Sequence, residues 1–328
     1  MAAAMARRKA RDSFIREAGI NPPLANGGKT IIGRRGQTFF RSREERTRKT
    51  ALALGETSCY GAVMKYAFLG AGKMASAIIR GMLRAKVCAA PDITASCPEP
   101  ELLESLRAAT SVNVTASNAD AASPASVVVL CVKPNDVGTA LGQAGNRLDG
   151  KLLVSIVAGQ KIESLKSLAP GARAIRAMPN TAAMVGRSAT AYACDASVNS
   201  EDRSVAEAVF SGIGEVYPVD EKLLNAVTGL SGSGPAYVCL VIEALSDGGV
   251  ACGLPRKLAL ELAVQTVLGT AEMVRATSEH PAVLREMVTS PAGTTVAGLR
   301  ALETRGVRSA FIEAVRAAAK RSGELSGE

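Results

Sequence analysis

The 328-residue sequence contains no tryptophan, a single histidine and only 3% aromatic residues. Base-stacking platforms for nucleic acid need aromatic side chains, so this class of protein is not expected. A single histidine, His280, excludes zinc sites built on several histidines, and we expect no metal. His280 precedes Pro281 at a predicted helix start, which indicates a surface or capping role. No uninterrupted apolar run reaches about 18 residues, so no membrane-spanning helix is expected.

The seven cysteines form no C-x-x-C pair, and their number is odd. Most of them lie in apolar segments, where a free cysteine packs like a small hydrophobic residue. This usage is typical of a reducing compartment rather than of a disulfide-bonded secreted protein. We therefore predict a cytoplasmic location. Hydrophobic residues make up 47% of the chain, which suffices for a sizeable core.

The formal net charge of +9 is concentrated in residues 1–64, which carry 13 Lys and Arg against five Asp and Glu. This segment is irregular, with Asn21-Pro22-Pro23 as a helix breaker, and we assign it as a basic extension. Three interpretations remain open: a plastid or mitochondrial transit peptide, an extension without a folded role, and a nucleic-acid-binding arm. The acidic residues and the small number of serines argue against a transit peptide.

Residues 65–225 alternate between strand and helix patterns, which predicts an α/β domain with a doubly wound, Rossmann-like parallel sheet. The continuous apolar runs Val127–Val132 and Leu152–Ile156 are typical of buried parallel strands. After Asp220 only helices are predicted, so residues 226–328 form a second, all-α domain. The predicted strands are Tyr66–Leu69, Ile93–Ser96, Val112–Thr115, Val127–Val132, Leu152–Ile156, Ala174–Ala177 and Ala189–Ala193. The predicted helices are Met74–Ala85, Glu99–Thr110, Pro235–Ser246, Pro255–Thr277, Pro281–Thr289, Thr294–Glu303 and Val307–Ser322.

A glycine-rich turn, Gly70-Ala71-Gly72, lies between the first predicted strand and the first helix. Gly70 permits the tight turn, and Gly72 lets the backbone approach a pyrophosphate, whose charge meets the helix N-terminus. Ala75 replaces the third glycine of the G-x-G-x-x-G motif, where helix and strand pack closely. The position of this motif at the start of a βα series predicts a dinucleotide-dependent oxidoreductase.

The end of the second predicted strand bears on the choice between NADH and NADPH. NAD enzymes usually place Asp or Glu there to bind the ribose 2′-hydroxyl. Here the strand ends at Ser96, which could accept a 2′-phosphate instead. NADPH is therefore the expected cofactor, with NADH as the second option.

A second candidate site lies in the C-terminal half, at residues 290–295. Small residues and hydroxyls precede a predicted helix here, and the free backbone N–H groups of a helix start suit a carboxylate. The same pattern is also an ordinary capping sequence, and both interpretations stay open. A similar stretch at residues 229–235 either passes close to the nicotinamide or allows helices to pack tightly.

Together these segments resemble the pyrroline-5-carboxylate reductase family over about residues 65–325. The run from Ala226 to Tyr237 and the segment from Val288 to Thr295 are the most specific matches, although Ala292 replaces a more usual glycine. Asn118 stands where the family places a polar contact to the cofactor. The cofactor-binding residues that this resemblance and the glycine motif predict are Leu69, Gly70, Ala71, Gly72, Lys73, Met74, Ser96, Asn118, Cys131, Val132, Lys133, Pro134, Ala158 and Gly159.

The resemblance implies reduction of 1-pyrroline-5-carboxylate to L-proline, the last step of proline biosynthesis. In this interpretation Ser290, Gly293 and Thr294 hold the substrate carboxylate, and Thr295 is the catalytic residue that reaches the ring nitrogen. The resemblance also implies a homodimer with interlocked helical domains, and an assembly of such dimers. No nucleic-acid or membrane partner is expected beside the small-molecule substrate.

Two other functions fit the sequence less well. A β-hydroxyacid-type dehydrogenase would carry Lys and Asn after the last glycine of a G-x-G run, but those positions are Val238 and Val241. A non-catalytic dinucleotide sensor would need no second site for a small anion. The residues near Ser290 resemble such a site, which argues against a sensor.

Overall fold

The computed structural model describes residues 64–327, so the assignment of the basic extension lies outside the described residues. Within them, eight strands form one sheet in the order β3-β2-β1-β4-β5-β6-β7-β8. The strands are β1 (Tyr66–Leu69), β2 (Ile93–Ser96), β3 (Asn113–Thr115), β4 (Val127–Leu130), β5 (Leu152–Ser155), β6 (Arg173–Met178), β7 (Ser188–Cys194) and β8 (Gly214–Pro218).

Six helices accompany the sheet, and six more helical segments follow it. The first group is α1 (Lys73–Arg84), α2 (Pro100–Thr110), α3 (Asn118–Ala122), α4 (Val137–Ala144), α5 (Ile162–Leu168) and α6 (Ser200–Ser211). The second group is α7 (Leu224–Val227), α8 (Gly234–Ala251), α9 (Arg256–Thr277), α10 (Pro281–Met287), α11 (Thr294–Thr304) and α12 (Val307–Leu325). A π-helical turn, Thr228–Gly232, joins α7 to α8.

The first six strands are parallel and follow the doubly wound order, which confirms the predicted fold class. Strand β7 pairs antiparallel with β6, and β8 pairs parallel with β7. Residues 179–187, which link β6 to β7, are too few for the crossover of about a dozen residues that parallel pairing needs. The sequence did not predict β8, in which only Gly214 is buried and Tyr217 and Pro218 are exposed.

The core has two layers, one on each face of the sheet. Alternate side chains of each strand point to opposite faces, so Phe68 packs in one layer and Leu69 in the other. Ile78 of α1 and Phe210 of α6 complete the first layer, and Leu141 of α4 completes the second. Both faces are therefore covered by helices, which is why the strands carry continuous apolar runs.

The helical half buries few of its own side chains. Large apolar residues of α8 and α9 remain exposed, among them Leu240 at 64% and Leu268 at 50%. So many large apolar side chains left exposed on two helices are typical of a protein interface. No helix in residues 64–327 is long and apolar enough to cross a membrane. The predicted domain boundary at residues 225 and 226 falls within α7 and stays a prediction.

Close backbone approach and capping fix the helices of this half. A Cβ on Gly229, in the π-helical turn, would lie 2.5 Å from the carbonyl oxygen of Val315 in α12, so this contact requires glycine. His280 is the N-cap of α10, and its Nδ1 accepts the N–H of Ala282 at 3.2 Å. The predicted capping role of His280 is thus confirmed.

Candidate nucleotide and carboxylate sites

The three predicted cofactor loops follow neighbouring strands at the carboxyl edge of the sheet. In the register, Leu69 of β1 pairs with Leu130 of β4, which pairs with Ser155 of β5. The turn after β1, residues 131–134 after β4 and residues 157–159 after β5 therefore start side by side. The strand order reverses between β1 and β4, and a crevice at such a point is where doubly wound sheets bind dinucleotides.

The turn after β1 requires glycine at its first position. Gly70 has φ +104°, and a Cβ there would lie 2.7 Å from the carbonyl oxygen of Cys131. The N–H of Gly70 donates to the carbonyl of Ser96 at 2.8 Å, and the N–H of Cys131 donates to that of Leu69 at 2.8 Å. The buried Leu69 therefore shapes the turn through its backbone, while its side chain belongs to the core.

The N-terminus of α1 is prepared for an anion. Gly72 is the N-cap, no side chain caps the helix, and its first turn contains no acidic residue. A Cβ on Gly72 would meet no atom within 4 Å, so open space lies in front of the first N–H groups. Lys73 is exposed beside this space. The helix dipole, the free N–H groups and the lysine all favour a pyrophosphate here, so these residues fit a dinucleotide.

The cysteine beside the turn stays neutral. Burial raises the pKa of the Cys131 thiol well above its ordinary value. Cys131 therefore adds no negative charge that would oppose an anion. Among the other predicted contacts, Lys133, Pro134 and Ala158 are exposed, whereas Met74, Asn118, Val132 and Gly159 are partly buried and Ala71 is buried.

The structure corrects the role of Ser96. Its side chain is fully buried, and its hydroxyl donates to Oδ1 of Asn118 at 2.6 Å. Direct contact with a 2′-phosphate is therefore wrong for Ser96, because the hydroxyl lies behind Asn118 and is already engaged. Asn118 in turn donates from Nδ2 to Oε1 of Gln143 on α4, at 2.7 Å. Sequence reasoning missed Gln143, because no local pattern links residues 25 positions apart.

An acidic side chain also lies near the end of β2. The thiol of Cys97 donates to Oε2 of the exposed Glu99. The pKa of the Cys97 thiol is raised, first by burial and then by this hydrogen bond. The strand itself ends without an acid, as the sequence shows, but a carboxylate follows only three residues later.

Two polar contacts join the sheet to the start of the helical half. Arg176 of β6 is buried and pairs with Glu221 at 3.3 Å, and the same Glu221 oxygen accepts the N–H of Ile162 at 2.7 Å. Nδ2 of Asn180, just after β6, donates to the carbonyl of Ser231 at 2.9 Å. Residues 229–235 therefore contact the carboxyl side of β6 through Ser231, as well as packing against α12.

The segment from Ser290 to Thr295 forms a tight loop before α11. Ala292 has a left-handed backbone, with φ +55°, which explains why glycine is more usual there. The N–H of Gly293 donates to the carbonyl of Ser290 at 3.0 Å. This overturns the expectation that the Gly293 amide binds a carboxylate, because that amide is already engaged. A Cβ on Gly293 would lie 2.3 Å from Oγ of Ser290, so the glycine instead makes room for the hydroxyl.

The structure also bears on the capping interpretation of this loop. Gly293 is the N-cap of α11, no side chain caps the helix, and its first turn contains no acidic residue. The hydroxyls of Ser290 and Thr295 form no hydrogen bond within the described residues. The amides of the first helical turn and two hydroxyls thus remain available to an anion.

A doubly wound sheet with a glycine turn at its switch point, joined to a helical half, defines a dinucleotide-binding oxidoreductase. Family comparisons agree. Residues 221–325 match the model described as Pyrroline-5-carboxylate reductase dimerisation, and residues 65–159 match NADP oxidoreductase coenzyme F420-dependent. The helical half is therefore a dimerisation domain.

Individual relatives are similar over nearly their full length. The chain is 46% identical to a pyrroline-5-carboxylate reductase of Synechocystis over 78% of this chain and 96% of that one. It is 44% identical to one of Arabidopsis thaliana over 80% and 95%. A Plasmodium falciparum pyrroline carboxylate reductase solved with NADP bound superposes with a TM-score of 0.74, at 32% identity, over 80% and 98%. The chain belongs to the pyrroline-5-carboxylate reductase family.

Proposed function

We propose that this protein reduces 1-pyrroline-5-carboxylate to L-proline with a pyridine nucleotide as hydride donor. The observation that carries the substrate assignment is the uncapped N-terminus of α11 beside the Ser290 hydroxyl. Such a site binds a small carboxylate, and the family membership supplies the cyclic imine that bears it.

The carboxylate is held by the Ser290 hydroxyl and by the N–H groups of Thr294 and Thr295. Gly293 contributes space for the hydroxyl rather than its own amide. The hydroxyl of Thr295, the second residue of α11, contacts the ring nitrogen and orients the imine.

The chain's contribution to the reaction is positioning and exclusion of water. A protonated imine is already electrophilic, so neither a metal nor a strong general acid is needed. The bound nicotinamide supplies the hydride that the imine carbon accepts. The residues at 290–295 fix the distance and direction of that carbon relative to the nicotinamide. Catalysis then gains from holding the two reactants in place before they react.

The two halves of one site come from different subunits. Within the described residues, no hydrogen bond joins the loop at 290–295 to the nucleotide-binding edge. The exposed apolar faces of α8 and α9 are covered by the second copy, which brings its own loop to this sheet edge. Several such dimers assemble further, and light scattering gives the mass of that assembly.

NADPH is the preferred cofactor, and Asn118 rather than Ser96 contacts its 2′-phosphate. Glu99 opposes this preference, because a carboxylate repels the phosphate.

A spectrophotometric assay with pyrroline-5-carboxylate tests both the reaction and the preference. We expect turnover with both nucleotides and a higher kcat/KM with NADPH. Turnover only with a hydroxy acid would support a β-hydroxyacid dehydrogenase, and binding without turnover would support a sensor.

Removal of single hydroxyls should separate substrate binding from chemistry. Ser290→Ala should mainly raise KM for the imine, because it removes a carboxylate contact. Thr295→Ala should mainly lower kcat, by about two- to tenfold for one hydrogen bond. Thr289→Ala is the matched control, because the Thr289 hydroxyl lies just after α10 and is already engaged with the carbonyl of Arg285. If neither parameter moves in the first two variants, the loop only starts a helix.

A further inference from the structure

We infer that Gln143 is a positioning residue for the cofactor: it orients the Asn118 amide so that one N–H of Asn118 stays available to an oxygen of the adenosine ribose or its phosphate. The inference rests on the proposed function, in which Asn118 contacts the nucleotide. It rests on a chain of hydrogen bonds from buried Ser96 through Asn118 to exposed Gln143.

The direction of this chain follows from its distances. Oγ of Ser96 lies 2.6 Å from Asn118 and 3.3 Å from the carbonyl oxygen of Phe68. An O–H···O bond is typically about 2.7 Å long, and an N–H···O bond about 2.9 Å. The hydroxyl proton therefore lies on the shorter contact, and the Asn118 atom facing Ser96 is its oxygen.

Once the Asn118 oxygen faces Ser96, its NH₂ group faces Gln143. One N–H donates to Oε1 of Gln143, and the second is not used by any group in residues 64–327. Asn118 is the first residue of α3, after β3 at the carboxyl edge of the sheet. Without an acceptor at position 143, the amide could rotate and turn its NH₂ group away from the nucleotide.

The position of Gln143 allows its effect on the Asn118 amide to be distinguished from an effect on the stability of the fold. Gln143 is exposed near the end of α4, and its side chain contributes nothing to the buried layer formed by Leu141 and Ala144. Its replacement should leave the fold intact. An effect on nucleotide binding would then come from the orientation of Asn118.

The test is the dissociation constant of NADPH and NADH, measured by nucleotide fluorescence with the full chain and no imine present. Gln143→Met should weaken binding about three- to tenfold, the range for one misdirected hydrogen bond, with unchanged unfolding temperature. Gln143→Glu keeps an acceptor and should bind NADH within about twofold of wild type. Asn146→Leu removes an exposed amide just after α4 and is the matched control.

A double-mutant cycle decides whether Gln143 acts through Asn118. In an Asn118→Ala background, Gln143→Met should have no further effect, because nothing remains to be oriented. The same loss in both backgrounds would overturn the inference in favour of direct contact. Equal binding by Gln143→Met and the control would also overturn it, as would a Gln143→Glu variant as weak for NADH as Gln143→Met. If the wild-type protein binds neither nucleotide, the proposed function fails as well.

Discussion

Gly70→Ala is expected to remove nucleotide binding and to destabilise the fold. The substitution forces a side chain into φ +104° and places its Cβ 2.7 Å from the carbonyl oxygen of Cys131. Backbone strain of this kind costs about 1–3 kcal/mol, and the overlap with the Cys131 backbone adds to it. The unfolding temperature should fall by roughly 5 °C or more. Because β1 and β4 must separate at the cofactor edge, affinity for NADPH should fall at least about tenfold.

Gly72→Ala provides the control two residues away. Gly72 has an ordinary φ of −69°, and its added methyl meets no protein atom within 4 Å. Alanine is a poorer N-cap than glycine but loses less chain entropy on folding, and these opposing effects are each about 1 kcal/mol or less. The unfolding temperature should therefore stay near that of wild type while nucleotide affinity falls. Wild-type affinity in both variants would show that the pyrophosphate does not bind at this turn.

The features that the sequence predicted correctly depend on neighbours close along the chain. Four consecutive apolar residues identify β4, and a G-x-G turn between a strand and a helix identifies the nucleotide edge. His280 before Pro281 identifies a helix cap. In each case the residues that cause the structure lie within a few positions of one another.

The features that it missed depend on distant partners. Ser96 is buried because Phe68 and Asn118, 28 and 22 residues away, close over its hydroxyl. Strand β7 runs antiparallel to β6 because the link between them is short, which is a property of residues 179–187 and not of the strand itself. Glu221 is exposed in part, yet its carboxylate joins α5 to Arg176 of β6. The spacing of apolar residues predicts which face of a helix or strand is buried. It does not predict which polar side chains from distant parts of the chain will contact one another.

The loop at 290–295 shows that sequence patterns can also miss a contact between residues that are close along the chain. The pattern of small and hydroxyl residues predicted an anion site, and an uncapped helix start agrees with it. The pattern did not show that the Gly293 amide turns back to Ser290, because this depends on the left-handed backbone of Ala292. An alanine at such a position is strained, and the sequence alone gives no sign of it.

Gly293→Ala is expected to impair substrate binding strongly while leaving the fold intact. Its Cβ would lie 2.3 Å from Oγ of Ser290, and the exposed serine can relieve the overlap by turning its hydroxyl away. That movement removes a hydrogen bond to a charged carboxylate, which is worth about 1.5–3 kcal/mol. KM for the imine should therefore rise about 10- to 150-fold, with nucleotide affinity unchanged, as steady-state kinetics and nucleotide fluorescence would show.

Ala292→Gly separates this steric effect from a general change in the loop. Glycine adopts φ +55° without the strain that alanine bears there, although it loses more entropy on folding. The unfolding temperature should hold or rise slightly, and KM should stay near the wild-type value. If both variants raise KM equally, flexibility of the loop rather than the Ser290 hydroxyl governs the site. If Gly293→Ala and Ser290→Ala both bind the imine normally, the carboxylate is held elsewhere.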